Sequence, residues 1–287
     1  MASLFDRLKA LVSRSGVFLL SIKLISNWQV ALAAYLLKKP VNVKFRNGIQ
    51  GYFGSNTIYK LVYYMGRGVN LKPVSDSILE VSIRNHKFRA PATNVDTLEY
   101  VFLNEVFDRG TDYSGKTVLD IGAYIGDTAT YFWNKGASKV VCYEPIKEFF
   151  YWLGQNVELN RVNAELYNLG VSDQRGEKEI IYSELNCLVG CKGERTIKIE
   201  TLSLSEVLQK HGTVDICKFV SPNCEQAISN LTDAELRRVP TWFVETTTKR
   251  YEAELADRFS RAGFKLRRIT RYAPWRVRWR FLAFELD

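Results

Sequence analysis

The sequence predicts an α/β fold, a mostly parallel sheet with a C-terminal antiparallel hairpin, preceded by a small helical and β-rich N-terminal region. Three observations predict it. From Lys116 onward strand and helix patterns alternate, which implies right-handed βαβ crossovers and a parallel sheet covered on both faces. The stretch "VLDIGAYIGDTATYF" (118–132) puts a glycine-bearing loop between an apolar strand and a helix, at the carboxyl end of a parallel strand, where such folds bind ligands. The last two strand patterns, "FKLRRITRY" and "RVRWRFLAFEL", have no helix between them. They must pair antiparallel, because a parallel pair needs a long crossover.

Residues 1–40 are apolar with scattered cations. Between Ser15 and Leu37 the only charge is Lys23, a length sufficient to span a bilayer. Lys23, Ser26, Asn27 and Gln29 near its middle argue against a span, and no signal-peptide cleavage pattern follows. The expectation is two amphipathic helices, about 3–13 and 27–37, packed on the protein or lying on a membrane surface. Residues 1–40 are therefore where peripheral membrane contact is expected. "VNVKFRNGIQGYF" (41–53) reads as two strands joined at Asn47-Gly48, and "ILEVSI", the turn "RNHK" and "FRAP" as a second pair. Residues 41–95 form a small β-rich lead-in on this reading. "DTLEYVFLNEVF" then spaces Leu98, Val101, Phe102 and Val106 on one helical face behind an acidic cap, opening the region 96–287.

Within that region "TVLDI" is a strand and "DTATYFWNKG" a helix closed by Gly136. "KVVCYE" is the next strand, and "IKEFFYWLGQNVELN" a helix with Phe149, Phe150, Leu153 and Val157 on one side. "AELYNLGVS" is a third strand, followed by a polar excursion over 174–199. "LSEVLQKHG", "VDICKFV", a helix ending near Arg238, "WFVETT" and "YEAELADRFSRAGF" continue the alternation. The last helix is acidic in its first half and basic in its second, which suits its dipole.

With 46% hydrophobic and 25% charged residues, the composition excludes a disordered chain. A net charge of +9 attracts phosphates, anionic glycans or an anionic membrane face. The five cysteines are odd in number and scattered, which points to reduced thiols and a cytoplasmic location, with the inner membrane face as the peripheral alternative. Cys187 and Cys191 are four apart, but neither His86 nor His211 completes a ligand set, so no metal is expected.

The chemistry concentrates around the glycine loop. Gly122 and Gly126 allow close approach or unusual backbone angles, and the following helix presents free N–H groups. Glu144, at the end of the next strand in "CYEP", is placed to accept both hydroxyls of a ribose. The spacing Gly122-x-x-x-Gly126 lacks the middle glycine that admits a pyrophosphate, and Asp127 would repel one. Acids before and inside the loop, Asp120 and Asp127, suit a cationic nucleoside such as S-adenosylmethionine. The closing antiparallel hairpin resembles that of class I methyltransferases.

Taken in order, "VLDIGAYIGDTATYF", "CYEP", "NLGVSD" and "TLSLSEVL" resemble the FkbM family of S-adenosylmethionine-dependent methyltransferases over roughly residues 95–286. The region around "NWQVALAAYLLKKPVNVKFRNG" is similar, less specifically, to the lead-in of archaeal-type members. The resemblance implies a Rossmann-like class I methyltransferase fold and O-methylation of hydroxyls on sugars, glycolipids or similar small acceptors. It implies that Asp120, Gly122, Gly126 and Asp127 line the methionine end of the cofactor, that Glu144 holds the ribose, and that Asp173 lies near the adenine. Tyr124 stands where the family usually has asparagine, leaving its backbone to serve.

One segment departs from the family. Where members carry K-x-D-x-E-G-x-E, this chain has "KFVSPNCE": Lys218 and Glu225 match, but Val220 and Pro222 replace both acids. Transfer to an alcohol needs its oxygen positioned and its proton removed, usually by a carboxylate. Lys218, Glu225 and Glu245 are the residues left for catalysis, with His211 a further possible base. The alternative is a catalytically silent cofactor- or partner-binding, membrane-associated module. In the tail, Arg276, Arg278 and Arg280 alternate with apolar residues, which reads as a solvated basic face, with Trp275 and Trp279 opposite. Without stacking aromatics beside those arginines, nucleic acid is not the expected partner.

Overall fold

The structure is a computed structural model that describes residues 15–37, 39–75, 78–95, 97–108, 110–182, 195–221, 224–246, 248–272 and 279–287. The expected helix 3–13, the Cys187–Cys191 pair, Pro222, Asn223 and Trp275–Arg278 lie outside these residues. The chain divides into two units, 1–99 and 100–287.

In the first unit the apolar stretch is two helices: α1 (Ser15–Leu24), which the sequence reading did not give, and α2 (Trp28–Leu37), which matches the expected helix 27–37 but is apolar almost all round instead of amphipathic. The polar residues at the middle of the stretch break it. Ser26 N–H donates to Lys44 O (2.8 Å), while the Asn27 amide donates to Asn42 O (2.9 Å) and accepts from Lys44 N–H (2.8 Å). These bonds tie the helices to hairpin β1 (Val41–Lys44) and β2 (Gln50–Phe53). No helix among the described residues is long and apolar enough to cross a membrane. The hairpin turns on Phe45–Gly48, with Gly48 in the left-handed region (φ +92°) donating to Phe45 O. This puts Asn47 at the turn's centre and the glycine just after it.

Helix α3 (Ser55–Gly66) was not expected from the sequence. Its Ile58, Leu61 and Val62 follow helical spacing and are buried with Tyr64. Strands β3 (Asn70–Pro73), β4 (Ile78–Ile83) and β5 (His86–Pro91) complete the unit as an antiparallel sheet, one strand more than the sequence showed. The expected helix from 96 narrows to a π-helical turn, Glu99–Leu103. Tyr100, Val101 and Phe102 are buried in succession there, which the wider turn accommodates better than an amphipathic α-helix.

The second unit is built on β6 (Thr117–Ile121), α4 (Asp127–Asn134), β7 (Lys139–Tyr143), α5 (Lys147–Leu159) and β8 (Ala164–Tyr167). It continues through β9 (Gly170–Ser172), β10 (Gly176–Tyr182), β11 (Arg195–Ser203), α6 (Leu204–His211) and β12 (Ile216–Phe219). Then follow α7 (Cys224–Ser229), α8 (Asp233–Leu236), β13 (Thr241–Thr246), α9 (Lys249–Arg261), β14 (Phe264–Tyr272) and β15 (Trp279–Leu286). The main sheet runs β14-β15-β13-β12-β6-β7-β8, parallel from β13 to β8, with β15 inserted antiparallel between β14 and β13. This is the class I methyltransferase arrangement, with the predicted antiparallel hairpin at its end.

Two connections differ from the sequence reading. The third strand breaks at Asn168–Leu169, and the polar excursion is the hairpin β10–β11, which joins β9 in a separate three-stranded sheet. The helix expected to end near Arg238 is two short ones, α7 and α8.

Side chains alternate across the main sheet, and Leu119, Ile121, Phe219, Trp242 and Val244 pack beneath α6–α9 in one core. Phe259 of α9 stacks on Phe284 with ring centres 4.0 Å apart. Cys142, Cys217 and Cys224 are all buried free thiols. Of the three alternating arginines only Arg280 is among the described residues, and it is not on the solvated face expected. On β15, Arg280 is buried beneath α9, where it pairs with Glu252 (2.7 Å). Lys265 and Arg267 reach the acids of the last residues, Asp287 and Glu285, each at 2.9 Å.

Candidate functional site

The carboxyl ends of β6, β7, β12 and β13 bring the acids together. The chain winds outward in opposite directions from β6 and from β12, so the switch point of the sheet falls between these neighbours. Asp120 and Lys218 are direct partners across that pair of strands. Both are buried, and Lys218 Nζ lies 2.8 Å from Asp120 Oδ1. The same ammonium donates to Gly122 O (2.6 Å), and the other Asp120 oxygen accepts from the Thr128 hydroxyl of α4 (2.6 Å). The lysine is therefore a clamp on the glycine loop, its charge balanced by the acid beside it.

The two glycines are required for different reasons. Gly122 (φ +76°) sits so close to the end of β12 that a β-carbon would lie 2.0 Å from Val220 O. Gly126 (φ +85°) caps α4, and a β-carbon there would press on Leu153 of α5 at 3.0 Å. Between them Tyr124 adopts a left-handed angle, φ +50°, which a side-chain-bearing residue seldom does. Its ring meets Phe149 edge-on at 4.5 Å, and Ile146, Ile180 and Ile197 pack around that pair. Asp127 is buried in the first turn of α4, where an acid suits the helix dipole.

Glu144 leaves the end of β7 and is buried. One carboxylate oxygen accepts from Tyr124 N–H and the other from Ile146 N–H, both at 2.9 Å. Burial nonetheless pushes its pKa up to about 7, outweighing those two donors and the nearby Lys218 charge, with Asp120 adding to the rise. Glu245, at the end of β13, is partly buried and is likewise raised to about 7. Desolvation is the main cause; Lys218 opposes it and Glu225, half-buried at the start of α7, adds to it. Cys224 Sγ donates to Glu245 O (3.3 Å).

Asp120, Gly122, Tyr124, Gly126, Asp127, Glu144 and Lys218 thus form one cluster, with Glu245 in electrostatic reach of it through Lys218, and Glu225 in reach of Glu245. Asp173 stands at the turn from β9 into β10, where Lys178 and Ser172 engage its carboxylate and hold its pKa below the usual range. His211 Nε2 lies 2.7 Å from Tyr143 OH, with its ring edge-on to Tyr143 and Tyr167; burial lowers its pKa and Lys210 adds to this. Among the described residues no group of three His, Cys, Asp or Glu side chains could hold a metal ion.

Three positioning residues escaped the sequence reading. Thr128 orients Asp120, Asn156 donates from α5 to Ile125 O of the loop (2.8 Å), and Asn168 donates to Glu144 O (2.8 Å) and Pro145 O (3.1 Å). A signal existed for one of them. Asn156 is fully buried on the stripe with Phe149, Leu153 and Val157, a polar residue at an apolar position, while Phe150 is only half-buried.

No family model matches the chain, and no curated protein matches it. Among solved structures, a ribosomal protein L11 methylase from Lactobacillus delbrueckii subsp. bulgaricus is 14% identical, over 67% of this chain and 78% of that one, with a TM-score of 0.41. A magnesium protoporphyrin IX methyltransferase from Synechocystis PCC 6803, with S-adenosylmethionine bound, is 15% identical over 68% and 81%, with a TM-score of 0.43. A precorrin-6y C5,15-methyltransferase from Geobacter metallireducens is 12% identical over 61% and 81%, with a TM-score of 0.40. Likeness at this level says nothing about the substrate or chemistry of this chain.

Proposed function

We propose that the chain is an S-adenosylmethionine-dependent methyltransferase acting on a hydroxyl of a sugar, glycolipid or similar small acceptor, as its resemblance to the FkbM family implies. The observation that carries the cofactor reading is Glu144, a carboxylate buried at the end of β7 beside a glycine loop at the switch point of the sheet. The residues present fit such a group. Each Glu144 oxygen takes one backbone N–H and keeps acceptor capacity for a ribose hydroxyl. Asp127 supplies negative charge near the loop for the cationic end, while the charge of Asp120 is balanced by Lys218. When bound, S-adenosylmethionine supplies the methyl group.

What the chain itself contributes is positioning and proton removal. Lys218 and Asp120 hold the loop, Asn168 holds the backbone carrying Glu144, and Glu245 is the proton acceptor for the acceptor hydroxyl. A base works best with its pKa near the working pH, and burial brings Glu245 to about 7. Glu225 assists by keeping that carboxylate basic. Val220 and Pro222 cannot take a proton, so the work falls to β13 instead of β12.

The test is calorimetric titration of the chain with S-adenosylmethionine, beside Glu144→Ala. Weakening of at least tenfold, about 1.4 kcal/mol, supports the placement. No binding by well-folded wild type overturns it. The second reading, a silent cofactor-binding module, draws on the commitment of Lys218 to Asp120 and the loss of the β12 acids. Tight cofactor binding with no methyl transfer to any hydroxylated acceptor would assign it.

A further inference from the structure

The charge of this chain is not shared between its two units. Residues 1–99 hold fourteen Lys or Arg against five Asp or Glu, which is the whole net charge of +9, while residues 100–287 hold twenty-six of each. From Arg7 to Ser75 there is no acid at all.

The apolar surface is divided in the same way. Of the eight large hydrophobic side chains exposed among the described residues, five are in the first unit. Leu19 is 64% exposed, Leu37 65% and Tyr52 73%, with Val30 and Val74 also exposed. Helix α2 shows how this arises. It is apolar almost all round, yet only Ala31 and Ala34 are buried. Its small residues face inward, and Val30 and Leu37, seven apart and so on one helical face, face outward. An ordinary surface helix does the reverse. Cations accompany these side chains. Exposed Lys23 lies one helical turn from Leu19 on α1, and Lys39 follows Leu37. Exposed Lys44 shares the outer face of the β1–β2 hairpin with Tyr52.

We infer that the first unit is a docking surface for an anionic lipid bilayer. Aliphatic side chains enter the interface while the lysines beside them sit against lipid headgroups, the combination that peripheral membrane binding requires. The chemistry favours lipid over nucleic acid. The exposed apolar groups here are mostly aliphatic, the nearby cations are mostly lysine, and stacking on bases needs aromatic faces. This inference is independent of the cofactor reading, since none of its residues belongs to the site described above.

The experiment is co-sedimentation of the full chain with vesicles of phosphatidylcholine alone and of phosphatidylcholine mixed with phosphatidylglycerol. Binding should be confined to the anionic vesicles and should fall at least about tenfold as salt rises from about 0.1 M to about 0.5 M. Two variants separate the components: Lys23→Glu/Lys39→Glu/Lys44→Glu and Leu19→Ser/Leu37→Ser. Each should lose at least about tenfold in vesicle affinity while keeping the wild-type melting temperature and S-adenosylmethionine titration. Equal binding to both vesicle types, or none to either at low salt, overturns the inference. So does retention on RNA without vesicle binding, or unchanged vesicle binding by both variants when folded.

Discussion

Gly122 and Val220 meet where β6 and β12 end, and the space between them has no room for a methyl group. A β-carbon on Gly122 would lie 2.0 Å from the Val220 carbonyl oxygen, a backbone atom that cannot swing away, and the φ of +76° is itself strained for any other residue. Gly122→Ala should therefore cost at least about 3 kcal/mol, measured by denaturant unfolding. A loss below 1 kcal/mol would mean that the two strand ends are free to part.

Lys218 and Asp120 make a buried pair, and breaking one partner leaves the other charged without compensation. Lys218→Met or Asp120→Asn alone should each destabilise by about 3–5 kcal/mol. The double variant should lose less than the two losses added together. Strict additivity in that cycle would remove the clamp from the account.

Glu144 gives stability a pH dependence with a definite sign. Its folded pKa, about 7, is above its unfolded value of 4.5, so folding favours the protonated form. The contribution is full below pH 4.5 and is lost as pH rises through 7, by up to about 3 kcal/mol. Glu245 acts in the same direction. Unfolding at pH 5 and pH 8 should show a smaller loss in Glu144→Gln than in wild type, and equal losses would refute the burial argument.

Cofactor affinity should carry the opposite sign. Ribose hydroxyls donate to the ionised carboxylate, so titrations with S-adenosylmethionine should tighten between pH 6 and pH 8 in wild type and stay flat in Glu144→Gln. A parallel rise in both proteins would assign the effect to another group.

Tyr124 separates a role for backbone from a role for ring. Tyr124→Asn relieves the left-handed strain but gives up the contact with Phe149, so its stability should change by less than about 1 kcal/mol. Tyr124→Ala keeps the strain and loses the ring, and should cost about 1–3 kcal/mol. Since the N–H to Glu144 survives in both, cofactor affinity should hold in each.

The alternation of strand and helix in the second unit was legible because its apolar runs are bounded by glycine or polar turns. The places of Asp120 and Glu144 at strand ends were legible for a related reason, as acids there stand out against apolar runs. The pairing of Lys218 with Asp120 was not, because the two lie ninety-eight positions apart and only the register of β6 against β12 brings them together. Arg280 was misread because alternation marks two faces without saying whether either is solvated. What decides it is the helix above, since α9 covers that face and brings Glu252 to Arg280. Helix α3 went unseen between two hairpins, although Ile58, Leu61 and Val62 carried its period.

The buried thiols offer a use for the fold that has nothing to do with catalysis. Cys142 and Cys217 lie in the strands flanking β6, Cys224 opens α7, and burial pushes all three thiols well above their ordinary pKa. An alkylating reagent can reach Cys142 and Cys217 only when the centre of the sheet comes apart, and Cys224 only when α7 lifts from the core. Their labelling, followed residue by residue by mass spectrometry, is a clock for that opening. If ligand binding fastens the ends of β6, β7 and β12, the clock should slow at Cys142 and Cys217 together.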